Sequence, residues 1–265
     1  MKATALLRLG RNVSQLESVA AFYQRALGFQ PVGPAAADPL LAAILGLERV
    51  ILLRLRLGAQ EIELSECFPK GAAYPMSGRA NDLFFQHIAI VTQDISASCG
   101  QVVRLGAEAI SRNGPAQLPA SSGGVSAFKF RDPDGHPLEF LQFPDRAACA
   151  AAEFDHSAIS VSNIARTTAF FAELGLVVRS QQVNHGPEQD ALDGLPDVTV
   201  DVVALQPARP SPHVELLGYR SPNNGLALPY SPADICADRL IFGAADGGLR
   251  LLRDPDGHVI LLDGR

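Results

Sequence analysis

Apolar and polar positions along the chain alternate in short runs that recur in a fixed order. Phe84–Val91 and Phe154–Val161 alternate with period two and predict strands, and Leu6–Val13 predicts a third. Each is followed by a polar stretch and then a helical pattern ended by glycine: Leu16–Leu27 before Gly28, Ser96–Leu105 before Gly106, Ala165–Leu174 before Gly175. Ser14 and Asn163 stand where they can cap the first and third of these helices. Further strands come next: Arg49–Leu57 with Glu61–Leu64, Ala127–Phe130 with Leu138–Phe143, and Val198–Leu205 with His213–Leu216. The unit is a strand, a helix and about three strands, an α+β arrangement. It is expected at residues 1–68, 83–143, 153–218 and 234–263. The fourth copy is abbreviated, because the span from Ile241 to Leu251 leaves no room for an ordinary helix. Linkers rich in Pro, Gly or small residues are expected at 69–81, 144–152 and 220–232. The chain divides near residue 148 into domains 1–147 and 152–265.

A literal repeat supports this division. Arg-Asp-Pro-Asp-Gly-His occurs at Arg131–His136 and again at Arg253–His258, each time before an apolar run. Asp, Pro and Gly in this order predict a tight turn, and the flanking β-rich residues make it a hairpin. The two copies diverge seven residues after the first Asp, with Glu139 in one and Leu261 in the other.

Composition narrows the function classes. A chain of 265 residues, 47% hydrophobic and 19% charged, is globular. Its net charge of −6, without a basic block, argues against nucleic acid as a partner. No apolar run approaches the ~20 residues that span a bilayer, and the first residues do not read as a secretory signal. A cytoplasmic protein is expected, with Cys67, Cys99, Cys149 and Cys236 as free thiols because their spacing fits neither a metal nor a redox motif.

Histidines and carboxylates sort by their place in the unit. His87 and His156 begin equivalent strands, and Glu139 and Glu215 end the last strands of the same two units. A carboxylate among Ile, Leu and Phe in a strand is costly to bury unless it is paired or bound to a metal. Two His and two Glu converging across a sheet offer mixed nitrogen and oxygen ligands to a divalent ion. His136 and His258, in the turns, are expected to be structural. His213 would share a strand face with Glu215.

These units, with Phe85–Val91, Arg131–Glu139, Ala21–Phe29 and His213–Leu217, resemble the vicinal oxygen chelate superfamily, which includes glyoxalase I, bleomycin-resistance proteins and extradiol dioxygenases. The resemblance covers nearly the whole chain. It implies two domains with curved, cup-shaped mixed sheets. It also implies metal ligands at His87, Glu139, His156 and Glu215. The first unit keeps Glu63 but has Arg8 at the histidine position; the fourth has Asp238 or Arg239 there and Leu261 at the carboxylate position. An extradiol site would draw on units three and four and lacks its ligands. The four-unit glyoxalase arrangement pairs units two with three and one with four, which leaves one complete site.

The resemblance therefore implies a metal-dependent, glyoxalase-like isomerase or lyase acting on a small oxygen-chelating substrate, with Glu215 or Glu139 moving the proton. The ion could be Zn, Ni, Fe, Mn or Co. The alternatives are an extradiol-type Fe(II) dioxygenase on an aromatic substrate and a non-catalytic, bleomycin-resistance-like binding protein. Phe84, Phe128, Phe130 and Phe140 are expected to wall the pocket, with segment 185–197 as a mobile flap. Arg8, Arg54 and Arg56 have no assigned place in it. The chain is expected to be a monomer or homodimer with no membrane partner.

Overall fold

A computed structural model describes residues 2–75, 77–144, 152–209, 212–228, 230–245 and 247–265. Cys149 and the expected boundary near residue 148 lie outside these residues; Cys67, Cys99 and Cys236 are free thiols.

The first unit holds β1 (Ala3–Asn12), α1 (Leu16–Leu27), the short β2 (Gln30–Pro31) and β3 (Ala36–Ala37), α2 (Pro39–Leu45), β4 (Arg49–Leu57) and β5 (Gln60–Phe68). The second holds β6 (Gln86–Val91), α3 (Ile95–Arg104), the short β7 (Glu108–Ala109) and β8 (Ala116–Gln117), β9 (Ser126–Arg131) and β10 (Pro137–Gln142). The third holds β11 (Glu153–Ser160), α4 (Ile164–Glu173), β12 (Val177–His185), α5 (Pro187–Asp193), β13 (Thr199–Gln206) and β14 (His213–Ser221). The fourth, among the described residues, has strands only: β15 (Arg239–Ala244), β16 (Leu249–Arg253) and β17 (Val259–Asp263). Among the described residues no helix is long and apolar enough to cross a membrane.

Two mixed sheets result. In every unit the first strand pairs in parallel with the last, as β6 does with β10 and β11 with β14. Units two and three then join edge to edge through antiparallel β6 and β11, giving a nine-stranded sheet. Units one and four join through antiparallel β1 and β15, giving an eight-stranded sheet. Each sheet thus draws strands from both halves of the chain. One face of each sheet contributes to a common apolar core with α1, α3 and α4, where Leu9, Tyr23, Ile88, Phe130, Val102 and Phe171 are buried. Period-two alternation sends the intervening residues to the opposite, concave face.

The repeated turn has a docking role. In each copy the first Asp binds its own hairpin: Asp132 accepts from the backbone N–H groups of Asp134 and His136, and Asp254 from those of Asp256 and His258. The turn histidines are buried against these carboxylates, as expected of a structural role. The second Asp reaches the neighbouring unit. Asp134 accepts from Ser14 N and Oγ at 2.6 Å each, and Asp256 accepts from Ser162 N at 2.9 Å and from Ser162 Oγ. Ser14 is therefore not the cap of α1, whose Ncap residue Gln15 makes no side-chain capping bond. Asn163 does cap α4, accepting from Arg166 N.

Candidate metal centre

Strand register assembles the site on the concave face of the nine-stranded sheet. Across β11, β6 and β10, His156 lies opposite Ala89, and Ala89 opposite Glu139. Across β6, β11 and β14, His87 lies opposite Ala158, and Ala158 opposite Glu215. The two rows are related by the approximate two-fold of the β6–β11 pair. Ala89 and Ala158 separate each imidazole from a carboxylate with the smallest Cβ-bearing side chain, so the four longer groups lean together above them.

The resulting distances are short. His87 Nε2 lies 3.0 Å from Glu139 Oε2, and His156 Nε2 lies 3.8 Å from the same oxygen and 3.5 Å from Glu215 Oε2. The two rings are 5.5 Å apart between centroids. His87, Glu139 and His156 are all buried, with ligand-type atoms within 4.8 Å of one another. Both ring nitrogens of His87 and Nε2 of His156 lack an aligned hydrogen-bond partner despite their burial. A buried polar atom without a partner is strongly unfavourable. A divalent cation is the kind of electrophile these nitrogens and the carboxylates beside them fit.

The electrostatics agree. Burial raises the Glu139 carboxyl, but Lys129, His87 and His156 outweigh it and hold the group at about 2. Glu215 is likewise opposed by burial and held at about 2, chiefly by His156 and His213. His87 is lowered, chiefly by burial. His156 is opposed by burial and raised to about 9 by Glu215 and Asp155. Ionised carboxylates beside one neutral imidazole are the protonation state that ligates a divalent cation, which would displace the proton on His156.

Above the four groups is a cavity of about 230 Å3. Its walls include Leu118, Val125, Leu141, Phe143, Leu192 and Val202, with Gln182, Asn184, Gln189 and Tyr219 as polar points. The expected aromatic wall is not there. Phe128, Phe130 and Phe140 point to the common core, because their alternation places them on the face opposite Lys129 and Glu139; Phe84 packs in a separate cluster with Tyr74 and Ile235. Segment 185–197 is not a loose flap either. Its helix α5 is tied to unit two: Arg112 N donates to Ala191 O, Ser111 Oγ to Leu192 O and Arg112 Nη2 to Gly194 O. A Cβ at Gly194 would meet Ile110 O at 2.5 Å, so glycine allows this approach as well as the left-handed φ of 65°.

One cavity residue belongs to no motif and was not among the expected site residues. Lys129 lies directly opposite Glu139 on β9, is 3% exposed, and places Nζ 2.6 Å from Asp193 Oδ1. Asp193 also accepts from Gln189 Nε2 at 2.8 Å and Tyr219 Oη at 3.0 Å. The only available signal was a charged residue between Phe128 and Phe130 in an otherwise apolar strand. His213 is brought into the site, with Nε2 3.2 Å from Glu215 Oε1.

The eight-stranded sheet has the corresponding positions with different occupants. Its register places Arg239 at the histidine position of unit four, opposite Gly10, while Asp238 is a neighbour. Arg8, Arg239, Glu63 and Leu261 stand for His156, His87, Glu215 and Glu139. Arg8 and Arg54 pair with Glu63 at 3.3 and 3.2 Å, and Arg8 with Asp263 at 2.6 Å. Arg239 crosses Gly10, where a Cβ would meet its Nε at 2.8 Å, and donates to Asn12 Oδ1 and Ser65 Oγ. Arg56 pairs with Glu61 on the same sheet.

Residues 5–140 match the family model described as Glyoxalase/Bleomycin resistance protein/Dioxygenase superfamily. Glyoxalase I from Zea mays is similar in structure, with a TM-score of 0.63 at 15% identity, covering 98% of this chain and 92% of that one. A putative dioxygenase from Bacillus subtilis subsp. subtilis str. 168 gives 0.62 at 11% identity, covering 100% of this chain and 86% of that one. At these identities the likeness is one of fold. No curated protein matches the chain in sequence.

Proposed function

The chain belongs to the Glyoxalase/Bleomycin resistance protein/Dioxygenase superfamily, and on that basis we propose that it is a metal-dependent isomerase or lyase of the glyoxalase type. Its substrate is a small molecule with two adjacent oxygens, bound in the cavity of the nine-stranded sheet. His87, Glu139, His156 and Glu215 would hold one divalent ion. The observation that carries this reading is the set of three buried imidazole nitrogens, without aligned hydrogen bonds, beside two ionised carboxylates. Bound there, the ion supplies Lewis acidity for negative charge developing on a substrate oxygen.

The chain's own groups divide the remaining work. Glu139 is fixed between His87 and the Lys129 charge, which suits a permanent ligand. Glu215 is held less tightly, with Oε1 beside His213 Nε2 at 3.2 Å, and moves the proton. The apolar side chains of the wall, with Gln189 and Leu192 of α5, line the space in which the substrate would react.

A second reading has a specific observation behind it. His87, His156 and Glu139 form the tightest trio, and two His with one carboxylate also suits Fe(II) in an oxygenase. Elemental analysis and turnover under argon and under air test both. One equivalent of divalent metal, with anaerobic activity abolished by a chelator, is expected. Activity that requires oxygen and iron would replace the first reading with the second. Absence of bound metal after equilibration with Zn, Ni, Co, Mn and Fe would overturn both.

A further inference from the structure

Resting on that reading of the site, we propose that α5 carries a recognition subsite that selects compact, uncharged substrates bearing a hydroxyl or N–H donor, and that Gln189 is its specificity-determining residue. The first support is an unpartnered atom. Gln189 is 4% exposed and lines the cavity, and its Oε1 has no hydrogen-bond partner. Its orientation is not arbitrary. Asp193 accepts from Lys129 and Tyr219 and is a carboxylate, so the Gln189 group facing it must be the NH2 that donates at 2.8 Å. The amide oxygen is thereby left as a buried acceptor without a partner, in a side chain that lines the cavity. It can be satisfied by a donor that the substrate brings.

The second support is the counterpart helix. Both α2 and α5 are seven-residue helices that begin with proline, end in a left-handed glycine, and lie between the strands of units one and three. Aligned on those residues, Gln189 matches Leu41 and Asp193 matches Leu45, both buried in an apolar cluster of the other sheet. Two polar residues therefore stand on α5 where the same scaffold elsewhere uses leucine.

Charge and size set the rest. Among the described lining residues are three carboxylates, Glu139, Asp155 and Glu215, and a single ammonium, that of Lys129, already held by Asp193; no arginine is among them. Arg8, Arg54 and Arg56 lie on the other sheet. A carboxylate on the substrate would find no free cation there, which disfavours a substrate tethered to glutathione with its two carboxylates. A cavity of about 230 Å3 also falls below the usual ~300–1,000 Å3 of sites for larger ligands.

Three hydroxamates test this, since each gives the metal the same two oxygens and differs only at the far end. Binding of benzohydroxamate, 4-hydroxybenzohydroxamate and 4-carboxybenzohydroxamate to the cobalt-loaded full chain is measured by calorimetry and cobalt absorption. The hydroxyl compound is expected to bind about five- to tenfold more tightly than benzohydroxamate, as one added hydrogen bond implies. The carboxylate is expected to bind roughly tenfold more weakly. Gln189→Leu, the residue of α2, and Gln189→Met should bring the ratio of the hydroxyl compound's affinity to that of benzohydroxamate to about one while cobalt stoichiometry, set by the four ligands, is retained. A preference that survives both substitutions, or a carboxylate that binds as well as its neutral parent, overturns the subsite while leaving the metal centre in place. If the protein takes up no cobalt or binds none of the three compounds, the reading of the centre fails and the subsite with it.

Discussion

Two concave faces built from the same unit have reached opposite solutions. In the eight-stranded sheet, Ile241 and Leu261 meet Leu41 and Leu45 of α2 in an apolar cluster, and the charged residues beside them are tied into ion pairs. In the nine-stranded sheet the equivalents are Ala89, Glu139, Gln189 and Asp193, and a cavity remains. Burying each leucine or isoleucine stabilises by roughly 1.5–3 kcal/mol, which the second face largely gives up. It instead holds two carboxylates and two imidazoles around a cavity. Duplication thus copies the scaffold, whereas side-chain length and polarity at six or so equivalent positions decide whether a concave face becomes core or site.

The most severe challenge to this contrast is to write a ligand back into the filled face. Leu261→Glu restores the carboxylate position but places it among Leu41, Leu45 and Val50, with no imidazole available because Arg8 and Arg239 occupy those positions. A carboxylate there would meet guanidiniums already engaged, Arg8 by Glu63 and Asp263 and Arg239 by Asn12 and Ser65, so the lost leucine burial and the carboxylate's desolvation are expected to destabilise by about 3 kcal/mol in urea unfolding, with no gain in metal binding. A variant that stayed stable and bound a second ion would show that the two faces differ less than their packing indicates.

A second pair of variants sets His87→Ala against Arg8→Ala. His87 has no aligned hydrogen-bond partner but lies 3.0 Å from Glu139, so its loss is expected to remove about 1 kcal/mol of stability while lowering metal affinity on the order of 100-fold, about 2.7 kcal/mol. Arg8 holds Glu63 and Asp263, which retain Arg54 and Arg265 when it is removed. Its loss is expected to remove about 2 kcal/mol, a fall of roughly 5 °C in the melting midpoint, with metal content unchanged. Calorimetry for both variants and both observables checks the crossing of effects. Parallel losses in the two variants would contradict a division between site and scaffold.

Much of this was legible in the chain, and the limits have physical causes. Period-two alternation and the glycine stops located most of the long strands and three helices within a few residues, because those signals are local; the nine-residue β12, exposed along nearly its whole length and so without alternation, was not among the expected strands. The pairing of unit two with unit three was implied by the family resemblance, in agreement with which units retain His and Glu, and the β6–β11 register matches it. Facing was harder. Phe128, Phe130 and Phe140 lie in strands buried on both sides, where apolar residues occupy both faces and alternation no longer says which one is concave. Helices α2 and α5, at seven residues, are too short for a helical period to emerge. Asp193 therefore had no visible partner, and Lys129, 64 residues away in sequence, stood out only as a charge between two phenylalanines.

The mildest loss concerns the feature that both faces share. Asp134 and Asp256 each take two hydrogen bonds from a serine at the start of a neighbouring unit, Ser14 and Ser162. One of these turns precedes Glu139 and the other Leu261, so the ligand changed while the turn did not. If the turn persists for docking rather than for chemistry, Asp134→Ala and Asp256→Ala should be equivalent. Each exposed pair of bonds is expected to contribute about 1 kcal/mol, and the two losses should add because they share no partner. Neither variant should alter metal affinity. Urea unfolding of the single and double variants measures this. A loss of metal binding confined to Asp134→Ala would mean that the turn next to the retained ligands also supports them. The two copies would then differ in role as well as in the strand residue, Glu139 or Leu261, that each one leads to.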